Sequence, residues 1–219
     1  MLMIAKTVLL VLSALFHIVN PLGGAPIFLS LTNYYSTDQR KILSWRIAMN
    51  SFLLLVGSFL VGTHILAFFG ISIPVVQVGG GLVVMSAGWK LLNQNEENES
   101  RQEVHHAVDP RDLSTRAFYP LTTPLTVGPG SISIAITLGA NVRREDILYS
   151  VIGAVIGMLL IAISVYLCYA FADRLGNILG DVAMTIIMRL SSFLLVCVGF
   201  QILWNGFSAL LKALPVFHH

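Results

Sequence analysis

The sequence predicts an all-α polytopic membrane protein: six transmembrane helices arranged as two inverted three-helix repeats, with helices 1 and 4 broken. Three observations predict it. The 219 residues are 56% hydrophobic and only 11% charged, with a mean hydropathy of +0.80, whereas soluble domains carry about 25% charged residues. The stretches free of charge run on continuously over the roughly 20 residues that a spanning helix needs, without the alternating polarity of barrel strands. A proline-containing motif in the first stretch recurs in the fourth.

Each span follows from a window without Asp, Glu, Lys or Arg. Residues 7–37 form the first window and give a span over about 3–32. Its apolar run continues through Asn20-Pro21 with no small-x-small cleavage site, so it reads as a span and not as a signal peptide. Residues 47–89 are too many for one crossing, and Gly70-Ile71-Ser72-Ile73-Pro74 divides them into spans over 42–69 and 73–93. The windows 117–142, 147–172 and 190–211 give spans over 117–140, 147–172 and 183–211. Residues 1–93 thus form the first repeat, 94–116 a hydrophilic linker and 117–219 the second repeat, all within one membrane domain. His105-His106 in the linker lack a ligand spacing, so no metal is expected.

The same numbers exclude other classes. So few charged side chains cannot cover the surface of a cytosolic globule, and a scattered net charge of +2 excludes a nucleic-acid partner. Cys168 and Cys197 lie in apolar runs and read as buried, inert thiols. Lys and Arg collect on the cytoplasmic side. One face holds Arg40, Lys41, Lys90, Arg101, Arg111, Arg116 and Arg174, with Arg46 and Arg189 just inside the spans; the other holds Lys6, Arg143, Arg144 and Lys212. Both termini are therefore expected outside, in the periplasm.

The halves match each other. Asn20-Pro21-Leu22-Gly23-Gly24-Ala25-Pro26 aligns with Thr123-Pro124-Leu125-Thr126-Val127-Gly128-Pro129 at an offset of 103 (Pro21 to Pro124), which also places Arg40-Lys41 over Arg143-Arg144. Gly88 aligns with Gly199 at an offset of 111, so the second half carries eight extra residues near its loop between spans 5 and 6. Three spans per half is an odd number, so the second half enters the membrane from the other side. Inverted repeats of this kind are a building plan of secondary transporters.

Proline lacks an N–H and glycine permits non-helical backbone, so both motifs are expected to unwind their helices. Such breaks persist in a bilayer only where protein or a water-filled cavity satisfies the freed groups. At the break, amides at the start of the resumed helix hold an anion and freed carbonyls hold a cation. The candidate binding residues are Asn20, Pro21, Gly23, Gly24, Pro26, Thr123, Pro124, Thr126, Gly128, Pro129, Gly130 and Ser131. Helices are expected to resume at Pro26-Ile27-Phe28 and at Ser131. His17 and Arg189 are candidates for proton sensing or gating, against plainer roles as a hydrogen-bonded packing histidine and a snorkelling arginine. Gln77 and Gln201 are expected to bond between helices, and Gly79-Gly80-Gly81 to admit a close neighbour.

None of the eleven acids lies inside a span. Intramembrane carboxylates are the usual proton relays and cation partners, so a small neutral or zwitterionic solute is the expected cargo.

Asn20-Pro21-Leu22-Gly23-Gly24-Ala25-Pro26-Ile27-Phe28 and Pro120-Leu121-Thr122-Thr123-Pro124-Leu125-Thr126-Val127-Gly128-Pro129-Gly130-Ser131-Ile132 resemble the paired signatures of the MarC family of bacterial inner-membrane proteins. Phe69 to Pro74, the glycines that follow, and Arg189-Leu190 with Gly199 and Gln201 are similar too, so the resemblance covers about 3–211. It implies six spans, an external N-terminus, a relation to the LysE-type exporter superfamily and a role in moving small neutral amino acids.

The expected function is secondary transport of small neutral, zwitterionic amino acids or similar solutes across the inner membrane by alternating access. The alternatives are a channel for small solutes and a non-transporting membrane partner or sensor. An enzyme is not expected, because the spans offer no nucleophile with its base. No cofactor is expected, with Na+ and H+ as the candidate coupling ions. The expected partners are a small-molecule solute and the lipid bilayer, with a homo-oligomer left open.

Overall fold

A computed structural model of the chain describes residues 2–32, 34–93, 114–142 and 147–213. All the regular elements among them are helices: α1 (Leu2–Val19), α2 (Pro21–Leu31), α3 (Thr37–Phe68), α4 (Ile73–Leu92), α5 (Ala117–Thr126), α6 (Pro129–Ala140), α7 (Ile147–Ala170) and α8 (Ala172–Lys212). The linker histidines His105 and His106 lie outside the described residues.

Four stretches are long and apolar enough to cross a membrane: Leu2–Leu29, Thr37–Phe68, Ile147–Ala170 and Thr185–Lys212. The bent pair α5–α6 makes a fifth if it counts as one span. Helix α4 is not among them. Leu9, Leu53, Phe68, Leu148 and Leu160 stand exposed around the outside, as expected where lipid is the solvent.

Local chemistry sets the boundaries. Ser36 caps α3 by accepting from the Gln39 amide at 3.3 Å, and the Gln39 side chain accepts from the Ser36 amide at 2.9 Å, a reciprocal capping box. After α3, Gly70 takes a positive φ of 65° and Pro74 enters the first turn of α4. Within α8, Gly180 leaves helical geometry (φ 74°, ψ 167°), so Ala172 to Leu179 form a separate helical arm before the long final rod.

Helix directions follow from residue pairs. Thr7 meets Gly153 and Val11 meets Gly157, so α1 and α7 run parallel. Trp45 packs edge-on against Tyr166 at 5.8 Å and Arg40 pairs with Asp173, three residues beyond the end of α7, so α3 and α7 run antiparallel. In α4, a side chain at Gly81 would lie 2.6 Å from the Gly199 carbonyl; at Gly88 it would lie 2.9 Å from the Ser192 carbonyl. This antiparallel contact of α4 with α8 is backbone on backbone, the close approach expected of Gly81.

The packing repeats when the halves are exchanged. Helix α2 lies on α7 and α8 as α6 lies on α3 and α4, and α1 lies on α7 as α5 lies on α3. Shifted by 111, the Gly81–Gly199 contact becomes Ser192–Gly88, and Met85–Gly199 becomes Val196–Gly88; all four contacts are present. The core between the elements is filled by Leu15, Phe28, Leu43, Ile47, Met158 and Ile161, all fully buried.

Several local expectations are corrected. Gln77 does bond across helices, donating to the Thr137 hydroxyl at 3.3 Å, but Gln201 donates within its own helix to Asn205 at 2.9 Å. Their i, i+4 spacing in α8 puts these two side chains on one face. Cys168 is half-buried and Cys197 is exposed, because Cys197 sits on the outer face of α8.

Candidate functional site

Both proline motifs interrupt their helices, in different ways. At the first, α1 ends at Val19 and Asn20 adopts the left-handed conformation (φ 43°, ψ 62°), which asparagine tolerates better than other side-chain-bearing residues. Its side-chain carbonyl accepts from the Gly23 amide at 3.2 Å, and Pro21, which has no amide hydrogen to leave orphaned, starts α2. The expectation that the helix resumes at Pro26 is corrected: capped by Asn20, it starts at Pro21, five residues earlier, and Pro26 lies inside α2. The interruption is one residue long.

The second interruption is larger. From Ala117 to Thr126 the chain is underwound into i→i+5 bonds: Val127 N–H donates to Thr122 O at 2.8 Å, and the Thr122 and Thr126 hydroxyls donate to Ala117 O (2.6 Å) and Leu121 O (2.8 Å). Pro120 and Pro124 donate nothing, the peptide bonds before them are cis, and Tyr119 and Thr123 are extended. Val127 and Gly128 are extended as well, and α6 starts at Pro129 with its axis turned by 71°. The Gly128 carbonyl accepts from Ile132 N–H (3.1 Å) and the Ser131 hydroxyl (2.9 Å).

Tyr169 of α7 joins the two. Its ring stacks on Phe28 of α2 at 4.7 Å and 12°. A methyl group at Gly24 would overlap its hydroxyl. That hydroxyl lies 3.0 Å from the Thr126 hydroxyl. Thr126 already donates its one proton to Leu121 O, so Tyr169 is the donor. Tyr169 was not singled out from the sequence; it is one of three tyrosines in α7, with Tyr149 and Tyr166, and a phenol needs a partner when buried.

A cavity of about 30 Å³ opens at the second break, lined by Ile18, Val84, Thr126, Gly128, Pro129 and Ser131, among others. It has room for about one water molecule. On α3, α5 and α6, outside the lining of this cavity, the hydroxyls of Ser51, Thr123 and Ser133 are buried with no hydrogen-bond partner, and a buried unmatched polar group costs about 1–3 kcal/mol. Ser51 belongs to α3, which packs on both α5 and α6.

Of the predicted residues, Pro124, Thr126, Gly128, Pro129 and Ser131 line the cavity. Gly130 is buried where a side chain would meet Val84 and Ile202. Pro21, Gly23, Gly24 and Pro26 are buried in α2, and Thr123 is half-buried. Gly23 and Gly24 are helical; they are small to admit Ser191 and Tyr169 and do not serve to unwind the chain. Asn20 is half-buried at the first break, and the two proton-sensing or gating candidates are elsewhere. His17 is exposed on α1, its Nδ1–H donating to Ser13 O at 3.0 Å, and is hydrogen-bonded but not packed. Arg189 is exposed on α8.

The sequence profile described as the MarC family integral membrane protein matches residues 5–211. An inner membrane protein MarC of Salmonella typhimurium is 30% identical over 214 residues, 94% of this chain and 96% of the relative. A membrane protein of Methanocaldococcus jannaschii is 29% identical over 199 residues (90% and 94%), and the membrane protein YvbG of Bacillus subtilis is 28% identical over 207 (92% and 94%). No solved structure matches the chain.

Proposed function

The chain belongs to the MarC family of integral membrane proteins, and from that premise we propose that it is a secondary transporter. It moves small neutral, zwitterionic solutes of the amino-acid class across the inner membrane by alternating access. The observation that carries this reading is the convergence of two interrupted helices, one from each half, on Tyr169.

An inverted repeat of six spans, with α4 as the third crossing, is supported by the exchangeable packing of the halves and by the helix directions. An odd number of crossings per half places spans 1 and 5 parallel and spans 3 and 6 antiparallel, as α1 with α7 and α4 with α8 are. Such repeats place their sites where broken helices meet. Both termini then lie on the periplasmic side, opposite the basic faces of the linker and of the turns after α2 and α7.

The chemistry of the cavity suits a zwitterion. Threonine and serine hydroxyls offer acceptors for an ammonium group, and the first turn of α6 presents amides and a positive dipole end to a carboxylate. A cavity of about 30 Å³ is too small for an amino acid, so admission needs the halves to separate. Coupling to Na+ or H+ stays part of the proposal, and no catalytic role is assigned.

Two measurements test it. Thermal unfolding of the purified protein against the amino acids, with and without Na+, should show stabilisation by the solute that binds the folded state. Counterflow of labelled alanine or glycine in proteoliposomes should occur for the wild type and be lost in Pro129→Ala and Gly130→Ala that elute as folded protein. Normal transport by both variants would reject the site; non-saturating flux without counterflow would indicate a channel.

A further inference from the structure

Polar contacts join the two halves around the turn between α2 and α3. Arg40, in the first turn of α3, forms an ion pair with Asp173, in the first turn of α8. Its Nε donates to Tyr35 O at 3.0 Å, which fixes the direction of the guanidinium. The side chains are 15% and 29% exposed, so the pair is largely shielded from solvent. Nearby, Arg116 at the start of α5 donates to the Tyr34 hydroxyl at 2.7 Å and lies over its ring at 5.9 Å, and Arg46 bonds to Ser114.

Asp173 stands on the arm Ala172 to Leu179, which the Gly180 break separates from the rest of α8. The arm falls where the sequence places the eight residues that the second half has in surplus. At the offset of 103, the first-half counterpart of Asp173 is Gly70, which has no side chain to pair. The carboxylate therefore serves one end of the molecule. Inward from Arg40, Ser44 donates to Arg40 O at 2.8 Å, and Ser44, Ile47 and Ser51 continue one fully buried stripe of α3 toward α5 and α6.

We propose that the Arg40–Asp173 ion pair is a latch between the halves that shuts the approach along this stripe toward the packing of α3 on α5 and α6, and that the arm opens it by bending at Gly180. The latch rests on the alternating-access reading. It accounts for a charged contact between halves beside an otherwise apolar interior, where each unpaired charge would be costly. It also accounts for the helical break, since glycine at a positive φ with no neighbour within 4 Å is free to change its backbone angles.

The test is labelling of Ser44→Cys by a membrane-impermeant maleimide in proteoliposomes, in a background carrying Cys168→Ser and Cys197→Ser. The labelling rate should rise about fivefold in Arg40→Gln and in Asp173→Asn, and return close to the starting rate in the reciprocal double variant R40D/D173R. Unchanged labelling in both single variants would overturn the latch. So would a rise that persists in the double variant, since that marks general loosening. The readout needs no solute. A restored rate without counterflow of any amino acid keeps the latch and rejects the transporter; counterflow with unchanged labelling does the reverse.

Discussion

The Tyr169 hydroxyl donates to the Thr126 hydroxyl across 3.0 Å while the Tyr169 ring stacks on Phe28 at 4.7 Å. One side chain thus touches both interrupted helices. Tyr169→Phe keeps the stack and removes the bond; it should lower stability by about 1 kcal/mol. Tyr169→Ala empties a fully buried aromatic site and should cost about 3–5 kcal/mol. Unfolding of the detergent-solubilised variants, followed by temperature, measures both.

Gly24 is small because the Tyr169 hydroxyl lies where its side chain would be. Gly24→Ala should destabilise by about 1–3 kcal/mol through overpacking. The overlap is with the hydroxyl, so Gly24→Ala combined with Tyr169→Phe should be less damaging than the two single effects added. Additive effects would show that the two residues are energetically independent.

Asn20 carries the first break by its left-handed backbone and its bond to the Gly23 amide. Asn20→Ala loses the cap and strains the backbone, at a cost of about 1–2 kcal/mol. Asn20→Gly keeps the permitted φ and should cost only a few tenths of a kcal/mol. Equal losses in the two variants, read by chemical or thermal unfolding, would refute this account of the break.

Gly81 and Gly199 hold α4 and α8 at backbone distance, while Gly79, two residues from Gly81, has nothing within 4 Å. Gly81→Ala and Gly199→Ala should each destabilise by about 1–3 kcal/mol. Gly79→Ala should be neutral or stabilising by up to about 1 kcal/mol, from helix propensity. A matching loss at Gly79 would mean that the cost arises from something other than the interhelical contact.

The spans were legible because the bilayer demands continuous apolar length, and Gly70 with Pro74 marked the turn inside the longest run. The two interruptions were legible as motifs, but their geometry was not. Asn20 caps α2 by a local bond that the spacing of prolines does not encode, which moved the restart of the helix from Pro26 to Pro21. Thr122 and Thr126 stabilise the underwound α5 by bonds to carbonyls five residues back, a pattern with no compositional mark. Tyr169 and the Arg40–Asp173 pair depend on partners far away in the chain, 43 and 133 residues respectively. No local pattern reports such partners.

Where Gly81, Gly88 and Gly199 bring main chain against main chain, no flexible side chains lie between the rods to absorb a slide. Glycines recur there every seven residues, so the next register with matching hollows is a translation of about 10 Å away. Main chain against main chain therefore opposes a slide of α4 along α8, and the contact pins their mutual register.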